Sequence, residues 1–124
     1  MGMGKVPAAA LAIVALLAAA ASAQAAAWKL LGSQSDKRPY ESIAQVMKAG
    51  VANVHGVRVA ASPAGAKVGG EVMCTVGSVV NSSTFAYVVG RTRVRILKAS
   101  GTCTVAAEAT LLRGGTVTVT VWIR

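Results

Sequence analysis

The chain has 124 residues, 54% of them hydrophobic and only 14% charged, with 13 Lys and Arg against four Asp and Glu for a net charge of +9. A chain this short and this apolar holds one domain with a real core but no room for a deep active-site cavity. A balance this basic favours encounters with anionic surfaces such as phospholipid head groups, acidic cell-wall polymers, glycans or nucleic acid, and sets association rather than identity.

In chain order, the first element is not part of the fold. Lys5, the apolar run Ala8–Ala21 and the small residues Ala21-Ser22-Ala23 have the layout of a cleavable secretory signal peptide, with the cut after Ala23 or Ala25. The run is shorter than the about 20 residues a spanning helix needs. Residues 1–23 are therefore expected to be removed, leaving 24–124 as a single exported β domain, secreted or periplasmic, with no transmembrane span. Loss of Lys5 lowers the net charge by one, to +8, with the acids Asp36, Glu41, Glu71 and Glu108 remaining.

Trp28–Gly32 reads as a first strand and Ser33–Pro39 as a polar loop. Tyr40, Ile43 and Met47 stand three and four apart ahead of Gly50, so one short helix is a candidate near residues 40–49. His55–Ala61 reads as a strand with Val57 and Val59 on one face, closed by Ser62-Pro63-Ala64-Gly65. Val72–Val80 and Thr84–Val89 flank the polar cluster Asn81-Ser82-Ser83, which suggests a hairpin. A strand over Arg91–Leu97 follows, with Gly90 as a bulge or kink. Thr102–Leu112 places Cys103, Val105, Ala107, Ala109 and Leu111 on one side. Thr116–Ile123 alternates Thr with Val as a β-branched strand with one buried face. Parity joins these last two strands as a hairpin through Arg113-Gly114-Gly115, with Gly115 left-handed and Leu111 opposite Val117. The fold class expected is all-β, a small antiparallel sandwich or barrel with one disulfide.

Cys74 and Cys103 each sit among inward-facing valines, and export favours oxidation, so they are expected to form that disulfide. There is no Cys-x-x-Cys and only one histidine, so neither a metal site nor a cofactor is expected. The acids are scattered, and no Gly-x-Ser-x-Gly elbow occurs, so no catalytic residues can be named and an enzyme is not expected. His55 shares parity with Val57 and Val59 and is expected at the edge of the core.

Arg91, Arg93 and Arg95 alternate with Thr92, Val94 and Ile96. On a strand their guanidinium groups would project from one side at spacings of about 7 Å, a row suited to phosphates or carboxylates. No aromatic residues interleave with them, so nucleic acid is not an expected partner. The functional expectation is an exported, non-enzymatic binding or structural module that contacts an anionic polymer, membrane surface or protein through Arg91, Arg93 and Arg95. Two alternatives remain: a subunit that self-associates through its uncharged C-terminal strand, and a small cationic toxin or defence protein. Asn81-Ser82-Ser83 is also an N-glycosylation sequon, informative only for a eukaryotic source.

Overall fold

The computed structural model describes residues 28–124; the signal-peptide expectation for residues 1–23 and its cleavage points lie outside the described residues. Within them the chain forms one antiparallel sheet of six strands, β1 (Lys29–Arg38), β2 (Ser42–Ser62), β3 (Lys67–Val76), β4 (Val79–Val88), β5 (Val94–Leu111) and β6 (Gly115–Ile123). The spatial order is β1-β6-β2-β5-β3-β4, and no helix occurs among the described residues. The all-β class and the single bridge expected from the sequence are both present: Cys74 and Cys103 lie directly opposite each other on β3 and β5 and are joined by a disulfide.

Two strands explain how one sheet encloses a core. β2 has 21 residues and β5 has 18, against five or six for an ordinary strand. They run side by side from Ser42 opposite Leu111 to Ala60 opposite Val94, but the register shifts repeatedly between Lys48 and Gly56. In that stretch Gly50 and Asn53 have φ of 64° and 55°, and across the ladder Gly101 has φ 109°. Extra residues in a ladder bend and twist it, so the β2–β5 ribbon folds at its middle and the sheet doubles over. The first part of β2, the second part of β5, β3 and β4 make one layer. The second part of β2, the first part of β5, β6 and β1 make the other. Valines from both layers, including Val46, Val57, Val105 and Val119, belong to one buried cluster.

Gly101 is indispensable to that bend. A Cβ there would run into the Thr75 carbonyl oxygen and the Val76 side chain, and its φ is one that L side chains rarely adopt. Gly101→Ala is expected to cost about 2 kcal/mol or more by urea denaturation, the sum of strain and displacement. A loss below about 0.5 kcal/mol would show that the ribbon bends without it.

Four expectations are corrected by the topology. Residues 40–49 belong to β2 and not to a helix: Ser42, Ala44 and Val46 are buried in strict alternation, while Tyr40 and Met47 are 82% and 70% exposed. The spacing of the three large side chains was misleading because the residues that face the core here are small. Ser33–Pro39 is not a loop, since β1 runs to Arg38. Its polar residues are explained by hydroxyl pairing with β6, Ser33 with Thr120 at 2.9 Å and Ser35 with Thr118 at 2.7 Å. The β3–β4 hairpin turns at Gly77-Ser78, with Gly77 at φ 59°, so Asn81-Ser82-Ser83 lies within β4.

The fourth correction is topological. β5 and β6 do not pair; β6 lies between β1 and β2, with Val121 opposite Val59 and Val119 opposite Ala61. Parity requires only that the two apolar faces be covered, and facing each other across the core satisfies it as well as lying side by side. Leu112–Gly114 therefore crosses between layers. Gly114 fits beneath the Arg38 and Pro39 carbonyls, where a Cβ would collide, and Gly115 takes the expected positive φ of 95°.

Candidate functional site

The doubled sheet leaves a gap along one side, where β4 of one layer passes the first part of β5 of the other. At one end of this seam the gap is bridged. Tyr87 on β4 reaches across so that its hydroxyl stands 3.4 Å from the Val59 carbonyl oxygen and 3.3 Å from that of Arg93, and the Arg95 guanidinium lies 5.6 Å from the centre of its ring. Burial raises the Tyr87 phenol above its ordinary pKa, and the Arg95 charge acts in the opposite direction.

Towards the other end the seam opens into a cleft of about 520 Å³. Its floor is Val72 and Cys74 of the core. Asn81 and Ser83 line it from β4, Lys98, Ala99 and Ser100 from β5, and His55 and Arg124 from the bend of β2 and the residue after β6. The backbone fixes these last two together: Gly56 N donates to the Arg124 carbonyl at 2.9 Å and Arg124 N to the Gly56 carbonyl at 3.0 Å, while His55 N also donates to Arg124 O. The Arg124 side chain is oriented by stacking, its guanidinium carbon 4.4 Å from the Trp28 ring centre. His55 is exposed at this cleft and not tucked at the core edge, because the bulge between Val54 and Gly56 takes it out of the Val57–Val59 face.

No Asp or Glu side chain lines the cleft. Asp36 accepts from Ile43 N at 2.8 Å and pairs with Arg38 at 3.0 Å, near the β1–β2 turn that also holds Glu41. Glu71 and Glu108 flank a separate concavity of about 590 Å³ on the outer face of β2, β3 and β5. There Ser82 donates to Glu71, and the Gln45 amide and Thr110 hydroxyl donate to Glu108. The basic cleft thus offers cations, hydroxyls and an amide with no Asp or Glu side chain among them, groups that suit a phosphate, sulfate or carboxylate.

The three arginines singled out by the sequence do not form a row. β5 begins at Val94, so Arg91 and Arg93 lie in the β4–β5 connection and only Arg95 is on a strand. Arg95 stands opposite the buried Val59 and is nevertheless exposed, as are Val94 and Ile96 on either side of it. Of the three, Arg95 is the one whose guanidinium meets the Tyr87 ring at the seam. His55, Lys98 and Arg124 were not found from sequence. They lie far apart in the chain, and only the bend of β2 and β5 brings them together.

No protein-family model matches the chain, and no curated protein does. Among solved structures it is similar to the C-terminal domain of a structural protein from sulfolobus turreted icosahedral virus, at 8% identity and TM-score 0.43 over 78% of this chain and 98% of that one. It is similar to TmCBM61 in complex with beta-1,4-galactotriose, at 10% identity and TM-score 0.45 over 78% and 87%. The low affinity xylan binding module CBM86 from Roseburia intestinalis matches at 12% identity and TM-score 0.36 over 79% and 89%. At such distances none of them says what this chain binds.

Proposed function

We propose that residues 24–124 form an exported, non-enzymatic binding module that holds an extended polyanion along the seam between β4 and β5. The single observation that carries this reading is the cleft in which Lys98, Arg124 and His55 converge with Asn81, Ser83 and Ser100 and no Asp or Glu side chain. Arg95, Arg93 and Arg91 continue the positive charge past Tyr87 at the other end. Asn81 and Tyr87 are six residues apart on one face of β4, so the seam is about 20 Å long, enough for several repeating units of a polymer. The partner is therefore read as an envelope polymer, glycan or lipid surface bearing phosphate, sulfate or carboxylate. Charge steers the encounter, and the hydroxyl and amide groups orient what is bound.

Elution from an immobilised heparin column tests this with a charge-matched control. Lys98→Gln with Arg124→Gln removes two charges from the cleft, and Lys29→Gln with Lys37→Gln removes two from β1. The cleft pair is expected to elute at clearly lower salt than the control, with the slope of log affinity against log salt falling by about one for each contacting cation lost. Substituting Arg91, Arg93 and Arg95 with Gln should also weaken retention. Equal shifts for the cleft pair and the control would mean that net charge alone binds and that the cleft is not a site.

A further inference from the structure

We propose that β4 is a self-pairing edge, through which two copies of the protein join antiparallel about a twofold axis at Thr84. Of the six strands only β4 and β6 carry no charged residue, and β6 is internal, paired on both sides. β4 is at the end of the sheet and hydrogen-bonds to β3 alone. It has none of the features that protect such an edge: no lysine, no proline, and no bulge, its register with β3 being unbroken from Val76–Val79 to Lys67–Val88. Val79, Val80 and Val88 are 58%, 58% and 56% exposed along it. The opposite edge, β1, carries Lys29, Asp36, Lys37 and Arg38 and is closed against β2 by the Asp36–Ile43 and Arg38–Ser42 hydrogen bonds.

Register follows from the ladder. Val89 N donates to the Ala66 carbonyl on the β3 side, and alternation then turns the amides of Val80, Ser82, Thr84, Ala86 and Val88 outward. A twofold ladder that keeps each face of the sheet continuous must pair residues of like parity. Centring it on Thr84 sets Thr84 against itself, Ser82 against Ala86 and Val80 against Val88 of the other copy, with about ten inter-chain backbone hydrogen bonds. The occupant is a second copy for reasons of charge. In a chain with nine more basic than acidic residues, pairing β4 with β4 is the one strand-to-strand contact at a free edge that sets no like charges within the ladder itself. Arg95 and Lys98 lie on the seam beside each edge, so the dimer should tighten as salt screens them, the opposite of polyanion binding. This inference stands whether or not the cleft takes a polyanion.

Sedimentation equilibrium of the oxidised protein at low and high salt tests it. The wild type is expected to reach twice the monomer mass, with association strengthened by salt. Thr84→Lys is expected to remain monomeric and to melt as the wild type does at concentrations low enough to keep it monomeric, since the Thr84 side chain is exposed and its amide is not used by β3. As a second reading, Thr84→Cys should be linked to itself by a short bis-maleimide, and Lys29→Cys should not. A wild type that stays monomeric at every concentration and salt, a Thr84→Lys protein that still dimerises, or growth beyond the dimer would each overturn the proposal.

Discussion

Replacing Cys74 and Cys103 together by alanine is expected to lower folding stability by about 3 to 5 kcal/mol, enough to leave a domain of this size unfolded in part at physiological temperature. The bridge closes a loop with a sequence separation of 29, for which the chain-entropy model gives about 3 to 4 kcal/mol. Both sulfurs also sit in the core, at 4% and 0% residue exposure, so truncation removes packing as well. The loop that the bridge closes contains all of β4, and it ties β3 to β5 beside the bend at Gly101. Denaturant titration of the double variant checks this, with reduction of the wild type as an independent measure. A loss under about 1 kcal/mol by both routes would mean that the strands hold the register without the bond.

Phe85→Ala is the second large effect, expected to cost about 3 to 5 kcal/mol. Phe85 is the only phenylalanine of the chain and one of few β4 residues turned into the core. Its ring lies over Gly70, where an added Cβ would approach within 2.7 Å of its tip, so the missing side chain of β3 makes the space that the ring fills. Truncation leaves a cavity that neighbouring valines, stiff at χ1, are poorly able to close. The damage should be local first: hydrogen exchange is expected to rise most in β4, whose remaining hold on the core is chiefly Tyr87. Uniform acceleration across all six strands would show instead that β4 does not open as a unit.

How much was legible in the sequence depends on what each residue had to report. Thr116–Ile123 could be read directly, because β-branched residues in strict alternation fit a half-buried strand and little else. The Cys74–Cys103 bridge was legible for the same reason, each cysteine sharing an alternating face with valines. The second part of β2 was read from Val57 and Val59, but the first part was not, because Ser42, Ala44 and Val46 are small at the core while Ile43 and Met47 are large on the outside, so the louder signal had a helical spacing. The start of β1 was read in Trp28–Gly32, but its continuation from Ser33 to Arg38 was hidden by polarity, which the Ser33–Thr120 and Ser35–Thr118 pairs explain only once β6 is beside it. Parity located the inward faces of β5 and β6 but could not distinguish a hairpin from two strands facing across a core. The basic cleft depends on that topology: Arg95 was visible, but its orientation towards Tyr87, and the meeting of His55 with Lys98 and Arg124, follow from the bend at Gly50, Asn53 and Gly101.

The claim that this bend creates a polyanion site is tested most directly by titrating the isotopically labelled protein with a short heparin oligosaccharide and following amide and side-chain resonances. Saturable shifts confined to His55, Asn81, Ser83, Lys98, Ser100 and Arg124, extending to Tyr87 and Arg95 and reversed by salt, are the expected result. Shifts spread over every exposed lysine and arginine, or centred on the outer concavity around Glu71 and Glu108, would contradict it.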